Sequence, residues 1–267
     1  MPKTLQPAIA ALALALAASV PADDALPRGE CFSPRAGTDL RHCDLAGVNL
    51  AGQDPSGVRL DKVRLENANL AGSKLVGASA VGANLQWANI TDADLSGADL
   101  HEANLFHAVL DRSVLDRANL TSANLFGANL NEVHAEGADF SGAHMKDLLA
   151  GGAHLACSRL DRAFMFRAVL IGSRLTGASL RQVALTGASL EDADFSGADL
   201  RGSLLNGAHL TGTVFRSARL EGARSPNALV QGADFSGALD IPEHLVLMLA
   251  PVTAERGVAS DQRSATP

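Results

Sequence analysis

A five-residue beat runs through this 267-residue chain without losing phase: from Leu40 to Phe235, 31 of the 40 residues at every fifth position are Leu or Phe. Two residues before each of these centres lies a second register. Between Thr38 and Ala238 it holds Ala, Ser, Thr, Val or Cys at 39 of its 41 positions, with Gln53 and Leu148 as the exceptions. A period of five is neither the 3.6 of a helix stripe nor the 2 of a half-buried strand, so the chain must be read as a tandem repeat. A helix would carry the Leu positions around its axis by about 140° per unit and leave no apolar face. On an extended backbone, residues two apart face the same way, so the Leu and the small residue of each unit both point inward. Gly recurs two places after the centre, as at Gly47, Gly52, Gly57, Gly72, Gly77 and Gly97, where a corner must turn sharply. Short strands joined by corners of one sense stack into a solenoid whose backbone groups pair between coils, each coil adding about 4.8 Å.

Runs such as Ala93-Asp94-Leu95-Ser96-Gly97, Ala123-Asn124-Leu125-Phe126-Gly127 and Ala198-Asp199-Leu200-Arg201-Gly202 resemble the A(D/N)LXX unit of the pentapeptide repeat family, over roughly residues 38 to 239. The resemblance implies an all-β solenoid, a right-handed quadrilateral β-helix with four units per coil. By that rule about ten coils stand here, roughly 45 to 50 Å tall.

The ends differ in kind from the repeat. Lys3, an apolar run from Ile9 to Val20 and then Val20-Pro21-Ala22 read as a secretory signal over residues 1–22, too short for a permanent membrane anchor. Residues 23–37 form a lead-in or cap, and 38–239 the β-helix. A capping helix is expected over 240–250, with Leu245, Val246, Met248 and Leu249 available to cover the last coil. A disordered tail is expected over 251–267. Export to the periplasm or beyond would allow a disulfide between Cys31 and Cys43, pinning the lead-in to the first coil; the same pair also fits buried thiols. Cys157 is left over at a corner where Gly is usual. Within the rod, Pro55 at a centre removes a ladder donor, Ser225-Pro226 is expected to interrupt the last coil, and Leu148 and Leu149 are expected to swing inward where Ala135 and Ala150 thin the core.

Function must lie on the outward positions. Twenty-residue turns would stack Phe106 on Phe126, with Lys146 and then Phe166 beyond them, and would put Trp87 and Phe164 in flanking columns. These five aromatics form the candidate interaction surface, since clustered exposed apolar groups mark contacts; otherwise the rings only cover the wall. The formal charge of −7 is uneven. Asp92, Asp111, Glu132, Glu191 and Asp192 share one face with Arg112, while Asp161, Arg181, Arg201 and Glu221 make a mixed column, flanked by Arg159 and Arg162, as solvated pairs do. No basic stripe supports nucleic-acid binding. His134 and His154 share a column near Cys157 and Asp194, but a pair without a third fixed ligand rarely holds a metal. Neither a metal nor a cofactor is expected.

The unbroken beat leaves no insertion from which to build a pocket, and no nucleophile elbow, phosphate loop or paired Cys motif occurs. The reading is a non-catalytic, exported bacterial scaffold that presents a rigid β-helical surface to a protein partner or a second copy, with no transmembrane segment. The family resemblance also implies an alternative, protection of DNA gyrase and topoisomerase IV by rod-shaped DNA-mimicking dimers. The leader and the short acidic track weigh against it. A β-helical polysaccharide-active enzyme is the third reading.

Overall fold

The computed structural model describes residues 28–246 apart from His244, so the expected signal peptide, the tail, Met248 and Leu249 lie outside the described residues. Parallel bridges join residues one place before a centre to those twenty places on, as in the column Asp39, Arg59, Ser79, Asp99, Asn119, Asp139, Arg159, Ser179, Asp199, Arg219 and Leu239. Twenty residues make one coil and five make one side.

The repeat follows from how each side satisfies its five amides. The Leu105 N–H donates to the Asn124 carbonyl and the His107 N–H to Phe126, both in the next coil, while the Asn104 N–H reaches back to Ala83. The Ala108 N–H closes the corner onto Leu105. The fifth amide, one place after the centre, has no ladder partner, and the Asp or Asn before the centre accepts from it. Ser96 donates to Asp94 Oδ1 at 3.0 Å, His101 to Asp99 at 3.1 Å and Phe106 to Asn104 at 3.3 Å. A short side-chain acceptor two residues back is placed to do this, which is the physical reason for the D/N position. Where that acceptor is missing, an Asp or Asn one coil back can serve, as Asp61 does for the Val81 amide and Asp161 for that of Arg181. The corner residue two after the centre has positive φ at every side from Gly37 to Gly237 except His42. Gly adopts that conformation freely, other residues at a cost of about 1–2 kcal/mol.

Both inward registers are buried along the rod, and Phe195, Phe215 and Phe235 stack with centroids 5.3 and 4.8 Å apart. Pro55 is buried at its centre, and no bridge joins Asp54 to Lys74 where the register calls for one. Two expectations need correction. Leu148 is buried but Leu149 is 42 % exposed, because alternation along an extended segment cannot turn adjacent side chains to one side. Ser225-Pro226 does not interrupt the ladder: Leu205 N–H still donates to Arg224 and Gly207 N–H to the Pro226 carbonyl. Pro226 occupies the first central position of the corner, where its fixed φ is suited to the turn and no amide is required by the ladder.

At the N-terminal end, Arg28 bridges Asp39, and a Cβ on Gly29 would lie 2.6 Å from Thr38 Oγ1 and 2.8 Å from Leu40 Cδ2. Only glycine lets the lead-in lie this close to the first coil. Cys31 and Cys43 are disulfide-bonded, their Cα atoms 5.6 Å apart. At the other end, residues 243, 245 and 246 are helical and Leu245 is buried, while Val246 is half exposed instead of covering the coil.

Candidate functional site

One wall of the rod, built on Leu85, Leu105, Leu125, Met145 and Met165, carries rings on both of its outward columns and on its corner. Phe106 and Phe126 stand twenty residues apart and stack with centroids 5.4 Å apart and planes 11° from parallel. Trp87 and His107, stacked one coil apart on the adjoining corner, lie 4.4 Å apart and 7° from parallel. The pairs lock edge to face: Trp87 meets Phe106 at 5.7 Å and 80°, and His107 meets Phe106 at 4.4 Å and 86°. Lys146 places its Nζ 5.6 Å from the Phe126 centroid, a cation over a ring face.

The placement of these rings is costly for a corner. Trp87 and His107 take φ of 58° and 52° where most sides use Gly. The next residue in that column, Gly127, is required for a different reason. A Cβ there would sit 2.5 Å from His107 Cε1, so the imidazole lies flat only because Gly127 leaves its space open.

Higher on the same wall, Phe164 stacks on His144 at 5.0 Å and 12°. Phe166 is 38 % exposed and, among the described residues, touches no other ring. The wall therefore brings Trp87, Phe106 and Phe126 together and holds Phe164 and Phe166 in a second patch, with Lys146 between. His107 and His144 complete these patches although sequence reasoning left them out; their twenty-residue spacing from Trp87 and Phe164 was the available signal. Exposed Leu149 and Ile171 extend the apolar surface onto the next wall.

The charged columns elsewhere are largely neutralised within themselves. Arg112 grips Asp92 with Nε and Nη2 at 2.8 and 2.9 Å, Arg167 holds Asp147 at 2.7 Å on both oxygens, and His209 lies 3.2 Å from Glu191. Arg201 and Arg181 both donate to Asp199 at 2.7 Å, and the Arg201 guanidinium foremost holds that carboxyl well below the usual range. His134 and His154 rings are 4.5 Å apart; burial chiefly, then the neighbouring imidazole, lowers the His154 pKa. Among the described residues no third donor joins the pair to make a ligand set. Cys157 instead lines a recess with Asp116, Arg117 and Glu136. No helix among the described residues is long and apolar enough to cross a membrane.

Stacked five-residue sides with an Asx-capped outward amide and a left-handed corner define a quadrilateral β-helix of tandem pentapeptides. The family model for pentapeptide repeats matches eight copies across residues 36–70, 59–97, 98–134, 118–155, 165–202 and 193–224, and the chain belongs to this family. Among solved structures it is similar to HetL, a pentapeptide repeat protein involved in heterocyst differentiation regulation from the cyanobacterium Nostoc sp. That likeness has 29% identity over 74% of this chain and 89% of HetL, with a TM-score of 0.54. QnrB1, a plasmid-mediated fluoroquinolone resistance protein, matches at 21% identity over 67% of this chain and 90% of its own, with a TM-score of 0.44. A pentapeptide repeat protein from the Arabidopsis thaliana thylakoid lumen matches at 31% identity over 39% of this chain and 69% of its own, with a TM-score of 0.23. No curated protein matches the chain.

Proposed function

We propose that this chain is an exported, non-catalytic scaffold: a rod of about ten coils, capped by the lead-in at one end and by Leu245 at the other, whose aromatic wall docks a protein partner or a second copy. One observation carries the reading. Trp87, His107, Phe106 and Phe126 form an interlocked set of rings on the outside of a rod whose core is already filled, and Trp87 remains 54 % exposed. Rings that the core does not need, two of them held at corners where a side chain is disfavoured, form a preorganised contact surface. The pairing of Asp92, Asp147 and Asp199 with arginines favours this over mimicry of a phosphate track, which needs unpaired negative charge.

Replacing Phe106 and Phe126 together by Asp tests the reading. Both are outward, so the circular dichroism and melting of the rod should stay near wild type, while self-association by sedimentation or co-purification of a partner is lost. Association unchanged in the double variant would contradict it. Residues 1–22, fused to a reporter active only outside the cytoplasm, should switch that reporter on. A silent reporter, together with inhibition of gyrase supercoiling by the purified chain, would favour the gyrase-protection alternative.

A further inference from the structure

We propose that Cys31, His42 and Cys43 are a redox-gated site for a thiophilic divalent cation of the Zn2+ type, closed while the disulfide stands and open once it is reduced. His42 Nε2 lies 3.7 Å from Cys43 Sγ and 4.0 Å from Cys31 Sγ. All three donor atoms fall within 4.8 Å of one another, as no other three His, Cys, Asp or Glu side chains do among the described residues. Zn–S bonds of about 2.3 Å and Zn–N bonds of about 2.0–2.1 Å place nitrogen and sulfur donors roughly 3.5–3.8 Å apart around a shared ion, so the imidazole already stands close to ligating distance. Only the two sulfurs must separate, and a Cα separation of 5.6 Å leaves that to side-chain rotation.

The backbone at this corner is independently out of line with the rest of the rod. From Gly37 to Ser217, His42 is the only corner, among the described residues, whose N–H does not donate to a carbonyl of the following coil. It is also the only corner from Gly37 to Gly237 without positive φ. The repeat is given up locally, and the side chain left at that place is an imidazole turned to two sulfurs. Access follows from burial: His42 is exposed and Cys31 half buried, while Cys43 is fixed in the inward register. A reductant and an ion can therefore reach the site without opening the rod.

The chemistry balances as follows. A dithiol gives two electrons and two protons to the Cys31–Cys43 bond and is itself oxidised to a disulfide; a phosphine gives the two electrons, takes the oxygen of one water to become a phosphine oxide, and leaves that water's two protons on the thiols. Each liberated thiol loses its proton as its sulfur takes up the metal, so binding one ion releases two protons to the buffer. Two thiolates and one imidazole leave a fourth tetrahedral position for water.

The test uses the full chain reduced anaerobically with a phosphine, which competes little for the ion, and titrated with Co2+ and then Zn2+. Reduced protein should develop a thiolate-to-cobalt charge-transfer band that saturates at one equivalent and is abolished by Zn2+; oxidised protein should not. His42→Ala should weaken binding about tenfold or more, Cys31→Ser or Cys43→Ser should remove the band, and Cys157→Ser should leave it unchanged. Absence of the band in the reduced chain, an equal response when oxidised, indifference to His42→Ala, or loss with Cys157→Ser would each overturn the proposal. Should reduction loosen the first coil, Zn2+ must restore its amide protection in hydrogen exchange, and failure to do so overturns it too.

Discussion

Two kinds of residue separate structure from use in this rod, and substitution should tell them apart. Trp87 spends about 1–2 kcal/mol on its left-handed φ and recovers about 0.5–1.5 kcal/mol through its ring contacts. Trp87→Gly should therefore leave urea stability within about 1 kcal/mol of wild type while weakening partner or self-association. Leu105→Ala, buried on the same wall, should cost about 2–5 kcal/mol. A large loss of stability from Trp87→Gly would show the ring to be structural. Asp94 illustrates the other kind: it accepts from the Ser96 amide and hydroxyl at 3.0 and 2.5 Å. Asp94→Ala would leave that amide without its acceptor, and a loss of about 1 kcal/mol should appear in urea melts. The Asp/Asn preference was visible in the sequence as a pattern, but its cause was not, because the unpaired fifth amide emerges only once the coils are stacked.

At the scale of one side of a coil, the registers were legible and their exceptions only partly so. In Leu148-Leu149-Ala150 the two inward positions exchange size, with Leu where Ala is usual and Ala where Leu is usual, and both are buried. Strand alternation then fixes Leu149 outward. Leu148→Ala should cost about 2–5 kcal/mol in urea unfolding and Leu149→Ser less than about 0.5 kcal/mol. Comparable losses would contradict the register. Pro55 and Pro226 show why residue type alone misleads: Pro55 stands where the ladder needs an amide, Pro226 where it needs none. His107 shows the corresponding limit for the site. A lone His at a corner carries no message until the twenty-residue turn places it flat beside Trp87 and above Gly127. Gly127→Ala should lift the imidazole off the wall and disturb the Trp87 environment, read by tryptophan fluorescence.

Over the whole molecule, each coil rests on its neighbours, and stability is a sum of near-identical interfaces with weaker ends. Carboxyls held low by hydrogen-bonded partners lie along the rod, at Asp92, Asp147 and Asp199, and also close to its ends. The Arg41 side chain foremost lowers the Asp39 pKa from 3.8 to about 2, and hydrogen bonds from Ser236, foremost from its hydroxyl, lower that of Asp234 to about 2. Because the folded values lie below the unfolded one, this stabilisation is complete above about pH 4 and disappears as pH falls towards 2. Because an end coil rests on a neighbour at one side only, hydrogen exchange should show protection at both ends falling over that interval before protection in the middle coils does, and uniform loss along the rod would contradict this. In the proposed function this rigid rod works through its aromatic wall. A photo-crosslinking amino acid placed at Phe106 in the native host, and in parallel at Ser179 on a wall without outward Phe or Trp, tests this. One discrete adduct is expected from position 106 and none from position 179, whereas equal labelling from both, or adducts only from 179, would overturn the proposal.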